Sequence, residues 1–103
     1  MTTRLCLVRH GETAWNAERR IQGQIDVPLS AAGHAQARAT ANALAQEPFC
    51  AIYSSDLARA QHTAEAAAHL LGLPVRRHAG LRERHYGVLQ TLTYAEFERR
   101  HAD

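Results

Sequence analysis

The stretch LVRHGETAWN, residues 7–16, passes without a break from apolar residues into an arginine, a histidine, a glycine and a glutamate. Its apolar part belongs to the run RLCLV, Arg4 to Val8, which reads as a short buried strand. A second such run, AIYSS at residues 51–55, also ends in polar residues. An arginine and a histidine placed where a buried strand stops cost free energy unless something anionic or hydrogen-bonding meets them. The stretch therefore asks for an anion at the strand end.

The segments around these two runs set the fold class. From Ser30 to about Gln46 lies an Ala-rich helix with Ser30 as N-cap and Ala37, Ala41 and Leu44 at helical spacing, closed by Pro48. After the second strand, Asp56 or Ser55 can cap a helix with Leu57, Ala60, Ala64, Ala67, Ala68 and Leu71 on one face, stopped by Gly72-Leu73-Pro74. Val75 opens a short third strand. Thr93 and Glu96 form a capping box for a further helix, with Leu92 and Phe97 as a hydrophobic staple. Strands alternating with helices predict an α/β layer with a parallel sheet, whose ligands bind outside the carboxyl ends of the strands. Arg9-His10 and Ser54-Ser55 stand at such ends. The long polar connection from Ala17 to Pro28, containing Gly23 and Asp26, reads either as a loop that covers a site or as a solvated crossover.

Composition narrows the function classes. The chain has 103 residues and 46% hydrophobic content, an ordinary globular composition for one domain. A formal charge of +2 is too small to point to nucleic acid, although all 12 basic residues are arginine. The Arg19-Arg20, Arg76-Arg77 and Arg99-Arg100 pairs lie far apart and form no basic block. Cys6 and Cys50 sit inside apolar runs, so both are expected to be small buried thiols in a reducing compartment. No apolar run approaches the ~18 residues of a membrane span, and MTTRLCLV is too short for a signal peptide, so the expected location is cytoplasmic, without membrane or nucleic-acid partners. His34, His62, His69, His78, His85 and His101 show no metal-ligand spacing, and no metal site is expected.

His10 differs from the other histidines by its place: it follows a strand, neighbours Arg9, and precedes Gly11, which allows a sharp turn or a close ligand approach. An adjacent arginine disfavours the imidazolium, which leaves His10 neutral and able to attack an electrophile near neutral pH. A phosphoryl group suits both residues, because guanidinium forks match its oxygens while a neutral imidazole attacks in line. Arg59, in the first turn of a helix that starts at a strand end, would add to the anion site made by free backbone N–H groups, though an exposed helix arginine is the commoner case. Glu83, flanked by Arg82 and Arg84, could give a proton to a departing alkoxide and then take one from water; alone it would pass for a surface salt-bridge partner.

Four blocks in one order, LVRHGETAWN, QGQIDVPLSAAG, SSDLARAQHTA and LRERHYGVLQ, resemble the histidine phosphatase superfamily, which includes the cofactor-dependent phosphoglycerate mutases. The resemblance implies a parallel-sheet three-layer α/β sandwich of phosphoglycerate mutase-like type, incomplete because residues 1–103 would be the N-terminal part of one such domain. It makes His10 the nucleophile that becomes phosphohistidine, Arg9 and Arg59 the phosphate clamps, and Glu83 the general acid and base. It adds Asn16, Gln22 and Gly23 as phosphate contacts, and Arg84 and Tyr86 on the substrate side. The implied reaction is phosphomonoester hydrolysis of a small phosphorylated metabolite without cofactor. Two alternatives are a mutase, an isomerase that would need a 2,3-bisphosphoglycerate primer, and a non-catalytic anion-binding fragment. Members carry a second pocket histidine in a later His-Gly motif, which no residue up to Asp103 supplies. Its strand lies between the first two strands of the family sheet, so with a gap there those two strands are expected to pair directly, to recruit another chain, as in a homo-oligomer, or to leave apolar edges exposed. Thr91 stands where the family usually has glycine.

Overall fold

The computed structural model of the chain describes residues 4–83 together with 90, 93, 95 and 96. A short helix α1 (Ala14–Ala17) and a longer α2 (Ala31–Leu44) precede strand β1 (Ile52–Ser54), helix α3 (Ala58–Leu71), strand β2 (Val75–Arg77) and a 3-10 turn at Ala79–Leu81. β1 and β2 pair in parallel, with Ile52, Tyr53 and Ser54 opposite Val75, Arg76 and Arg77, so α3 is the crossover of a β-α-β unit. Among the described residues no helix is long and apolar enough to cross a membrane.

Helix ends follow local chemistry. Ser30 caps α2 as its side chain accepts from the Gly33 N–H at 3.1 Å. Gly72 ends α3 in the left-handed conformation at φ 68°, its N–H donating to the Ala68 carbonyl at 2.9 Å. The start of α3 differs from expectation: its N-cap is Leu57, which has no side-chain cap. Ser55 Oγ instead accepts from Leu57 N at 3.3 Å, and Asp26, from the polar connection, accepts from Ala58 N at 2.7 Å. Thr93 and Glu96 make the reciprocal bonds of a capping box, Glu96 N to Thr93 Oγ1 at 3.0 Å and Thr93 N to Glu96 Oε2 at 3.4 Å. Leu92, Phe97 and Thr91 lie outside the described residues.

The core is small. Ile21, Val27, Leu29, Ala37, Ala41, Leu57 and Ala67 are its buried apolar residues. The helices α2 and α3 pack on each other, and each buries one i, i+4, i+8 stripe: Gly33, Ala37 and Ala41 on α2, and Arg59, Thr63 and Ala67 on α3. The stripe of α3 is therefore rotated from the Leu57, Ala60, Ala64, Ala67, Ala68, Leu71 face that apolar spacing suggests. Arg59 and Thr63 can be buried because each finds hydrogen-bond partners, which apolar spacing cannot register.

Two further expectations are corrected. The run from Arg4 to Val8 forms no strand among the described residues; Leu5 is 85% and Leu7 95% exposed. A strand exists through its neighbours, and among the described residues the run pairs with neither edge of the two-stranded β1-β2 sheet. For the same reason Cys6 is exposed rather than buried, and Cys50, just before β1, is exposed too.

Candidate active site

The turn after Val8 is held by backbone contact with α2. A Cβ on Gly33 would lie 1.9 Å from the Glu12 carbonyl oxygen, and one on Gly11 would lie 2.4 Å from the Gly33 carbonyl oxygen. Only two residues without side chains permit this approach. It lets Glu12 O accept from Ser30 N at 2.9 Å and from Ser30 Oγ at 3.1 Å, while Glu12 N donates to Gln36 Oε1 at 2.8 Å. Thr13, fully buried, bridges to Leu29 and caps α1 with Asn16: Asn16 N donates to Thr13 Oγ1 at 3.1 Å, and Thr13 N to Asn16 Oδ1 at 3.0 Å. Its hydroxyl also donates to Gln22 Oε1 at 2.7 Å.

His10 is half-buried in this turn, its Nδ1 2.6 Å from the Gly11 carbonyl oxygen. A carbonyl only accepts, so Nδ1 carries the proton and Nε2 is left with its lone pair. Burial pulls the His10 pKa below the ordinary imidazole value, and the Arg59 and Arg9 charges add to that; the Gly11 bond and the Glu83 carboxylate oppose it. The ring is thus neutral near pH 7.

Arg59 and His10 are joined through Thr63. The Gly11 N–H donates to Thr63 Oγ1 at 3.0 Å, and that hydroxyl donates to the Arg59 carbonyl at 2.6 Å, one turn back on α3. The Arg59 side chain, 3% exposed, points its guanidinium into the polar connection, where Nη1 donates to Ile25 O at 2.6 Å and Nη2 to Gly23 O at 2.5 Å. Burial lowers its pKa while Glu83 and Asp26 raise it, and a guanidinium stays charged under either influence. The polar connection is therefore a fixed cover, with Gly23 in the left-handed region at φ 54° that a side chain would disfavour. Gln24 ties it further, its N–H donating to Gln90 Oε1 at 2.9 Å and its Nε2 to Glu83 O at 3.3 Å.

Of the residues singled out from sequence, Arg9, Arg59 and Glu83 each lie within electrostatic reach of His10, and Glu83 also within reach of Arg59. Arg9 is exposed and makes no hydrogen bond or ion pair among the described residues. Asn16 and Gln22 turn their carboxamide oxygens to Thr13, which leaves the NH₂ ends as donors. Gly23 offers its carbonyl to Arg59 and so fixes that guanidinium. Arg84 and Tyr86 lie outside the described residues. Sequence reading passed over Thr63, Gly33 and the capping role of Asp26. An R-x-x-x-T spacing on one helix face was the available sign for Thr63. Among the described residues no three His, Cys, Asp or Glu side chains are grouped to hold a metal ion.

A profile of the histidine phosphatase superfamily (branch 1) matches residues 5–103. The chain belongs to that superfamily. Phosphoglycerate mutase-like protein 4 of Arabidopsis thaliana is 50% identical over 94 residues, covering 89% of this chain and 41% of the relative. Among solved structures, a mycobacterial glucosyl-3-phosphoglycerate phosphatase in complex with VO3 superposes with a TM-score of 0.88 at 42% identity, covering 89% of this chain and 44% of that one. A phosphoserine phosphatase from Entamoeba histolytica in complex with 3-phosphoglyceric acid gives 0.79 at 36% identity, covering 86% and 44%. The chain thus spans about two-fifths of the length of the curated relative and less than half of these structures. The histidine phosphatase fold assignment rests on both comparisons, and their members carry the names of phosphatases or mutases.

Proposed function

We propose that the site transfers a phosphoryl group from a small phosphomonoester to His10 and then to water. The observation that carries this reading is the His10 ring itself: Nδ1 is committed to the Gly11 carbonyl, and Nε2 keeps its lone pair on a ring within electrostatic reach of the Arg59 and Arg9 charges. In the first step Nε2 forms a bond to phosphorus as the ester P–O bond breaks, and Glu83, carrying a proton taken up with the substrate, gives it to the departing alkoxide. Arg59, already anchored by two of its N–H groups, and the exposed charge of Arg9 offset the negative charge on the phosphoryl oxygens. In the second step the Glu83 carboxylate takes a proton from water, the water oxygen bonds to phosphorus, and the N–P bond breaks to return neutral His10 and inorganic phosphate. The NH₂ ends of Asn16 and Gln22 are the further donors for the phosphoryl oxygens.

A second reading, phosphoglycerate mutase, has one observation in its favour: the curated relative at 50% identity is named phosphoglycerate mutase-like. There the phosphoryl group on His10 would pass to a second hydroxyl rather than to water.

Mass spectrometry of the protein quenched in base during turnover of an aryl phosphate tests the first step. Phosphate on His10, absent in His10→Ala, is expected; label elsewhere, or undiminished hydrolysis by His10→Ala, refutes it. Incubation with 3-phosphoglycerate and a trace of 2,3-bisphosphoglycerate separates the two readings: phosphate release supports hydrolysis, and rapid formation of 2-phosphoglycerate without it supports the mutase.

A further inference from the structure

Asp56 and Arg82 take no part in the steps above, yet they form a two-point clamp. Arg82 Nε donates to Asp56 Oδ1 and Nη2 to Oδ2, both at 2.6 Å. A planar fork on a carboxylate fixes direction as well as distance. Asp56 lies in the turn that opens α3, one residue before the N-cap and three before Arg59. Arg82 caps the 3-10 turn and immediately precedes Glu83.

The backbone on both sides is tied as well. His78 N donates to Ser54 O at 2.9 Å, extending the β1–β2 ladder, and Arg82 N donates to Ala79 O at 3.1 Å. From the opposite side Gln24 Nε2 donates to Glu83 O, and Gln24 belongs to the loop that Arg59 grips. Residues 82 and 83 are therefore held between the start of α3 and the cover loop. We infer that the Asp56–Arg82 pair is a positioning device which aims the Glu83 carboxylate at the space between His10 and Arg59.

The pair is about one-third exposed on each side, 33% for Arg82 and 36% for Asp56. A pair so open to solvent adds little stability. Its effect is geometric, because the two parallel bonds fix the direction of the residue that immediately precedes Glu83. The Glu83 carboxylate raises the pKa of both His10 and Arg59, so it stands within reach of both. Among the described residues, the groups acting on His10 are the Gly11 carbonyl, Arg59, Arg9 and Glu83, and neither Asp56 nor Arg82 is one of them. A change in His10 on breaking the clamp would therefore report on Glu83.

This inference rests on the reading of Glu83 as acid and base, and two measurements keep them apart. The first is an NMR titration of the His10 ring in the intact chain, which requires no turnover. Glu83→Gln is expected to lower the His10 midpoint by removing a carboxylate. Asp56→Asn and Arg82→Lys are expected to lower it by part of that amount, and the swapped pair Asp56→Arg/Arg82→Asp to restore it. A midpoint that moves in Glu83→Gln and stays unmoved in both clamp variants overturns the inference and leaves the acid–base reading standing. The second compares an alkyl phosphate, whose leaving group needs a proton, with an aryl phosphate, whose phenolate leaves without one. General-acid removal in Glu83→Gln is expected to slow the alkyl ester about 100-fold more than the aryl ester. Asp56→Asn is expected to cost about tenfold on the alkyl ester and under about twofold on the aryl ester. Equal losses on both esters in Asp56→Asn overturn the clamp; equal losses in Glu83→Gln overturn the acid–base reading itself.

Discussion

Replacing Gly33 with alanine separates two opposite expectations. In most helices the change stabilises, since alanine is favoured over glycine by about 1 kcal/mol. Here the new Cβ would stand 1.9 Å from the Glu12 carbonyl oxygen and 2.9 Å from the Glu12 carbonyl carbon and nitrogen, all backbone atoms. To reach the 3.4 Å at which ordinary contact begins, α2 and the turn must part by about 1.5 Å. The bonds from Ser30 N and Ser30 Oγ to Glu12 O, now 2.9 and 3.1 Å, would then pass 4 Å and cease to be hydrogen bonds. Two lost bonds, with a half-buried carbonyl left unpaired, cost about 3 kcal/mol, and the helix gain returns about 1. The net loss of about 2 kcal/mol corresponds to a fall in Tm of roughly 10 °C for a chain of this length. His10 sits on the displaced turn, and a shift of about 1 Å in a reacting group costs on the order of 100-fold in rate. Thermal unfolding followed by circular dichroism, with Ala35→Gly on the same helix as the propensity reference, measures the first quantity. Phosphorylation of His10 measures the second. A Tm that rises in Gly33→Ala would refute the close approach, and an unchanged rate would refute its role in placing His10.

Four further outcomes follow. Arg59→Lys keeps the charge but cannot hold Gly23 O and Ile25 O together, so His10 phosphorylation should slow by about 100-fold; a rate within threefold of the parent would show that charge alone suffices. Because His10 attacks as the neutral ring and its pKa is lowered, its phosphorylation by an aryl phosphate, which needs no proton from Glu83, should speed up with pH through a midpoint below the ordinary ~6.5 and level off by neutrality; a midpoint above 6.5 contradicts this. The same shift gives stability that is present above the unfolded value of ~6.5 and lost as pH falls through the lower folded value, readable as a falling urea midpoint. Asp26→Ala removes the acceptor for Ala58 N and should cost about 1 kcal/mol in urea unfolding, with Asp26→Asn retaining most of it.

The helices were legible because their signals are local. Ser30 before an Ala-rich run and Gly72 after an apolar face are caps that a sequence states within a few residues, and α2 and α3 begin and end beside them. The Arg4–Val8 run was read as a strand from its apolar character, which establishes a wish for burial and nothing about a partner. Pairing is non-local, and β1 meets β2 instead. The burial of Arg59 and Thr63 was illegible for a related reason. Apolar periodicity ranks residues by hydrophobicity, whereas a polar side chain is buried when distant groups satisfy it, here Gly23 O, Ile25 O and the Gly11 N–H.

The site divides along the same line. His10 and Arg9 announce themselves because ionisable residues at the end of an apolar run need an explanation within the run itself. Arg59 and Glu83 do not, and each alone looks like a surface residue; block order and family resemblance bring them in. What neither route supplies is the set of links between blocks: Gly11 N–H to Thr63, Thr13 hydroxyl to Gln22, Asp26 to Ala58, and Asp56 to Arg82. Each joins two segments more distant in sequence than one helical turn, and each lies next to a residue proposed for the reaction. These links make the placement of His10, Arg59 and Glu83 interdependent: a substitution at Thr63 or Asp56, which touches no phosphoryl oxygen, should shift the titration or rate of His10 more than it shifts the stability of the helix that carries it.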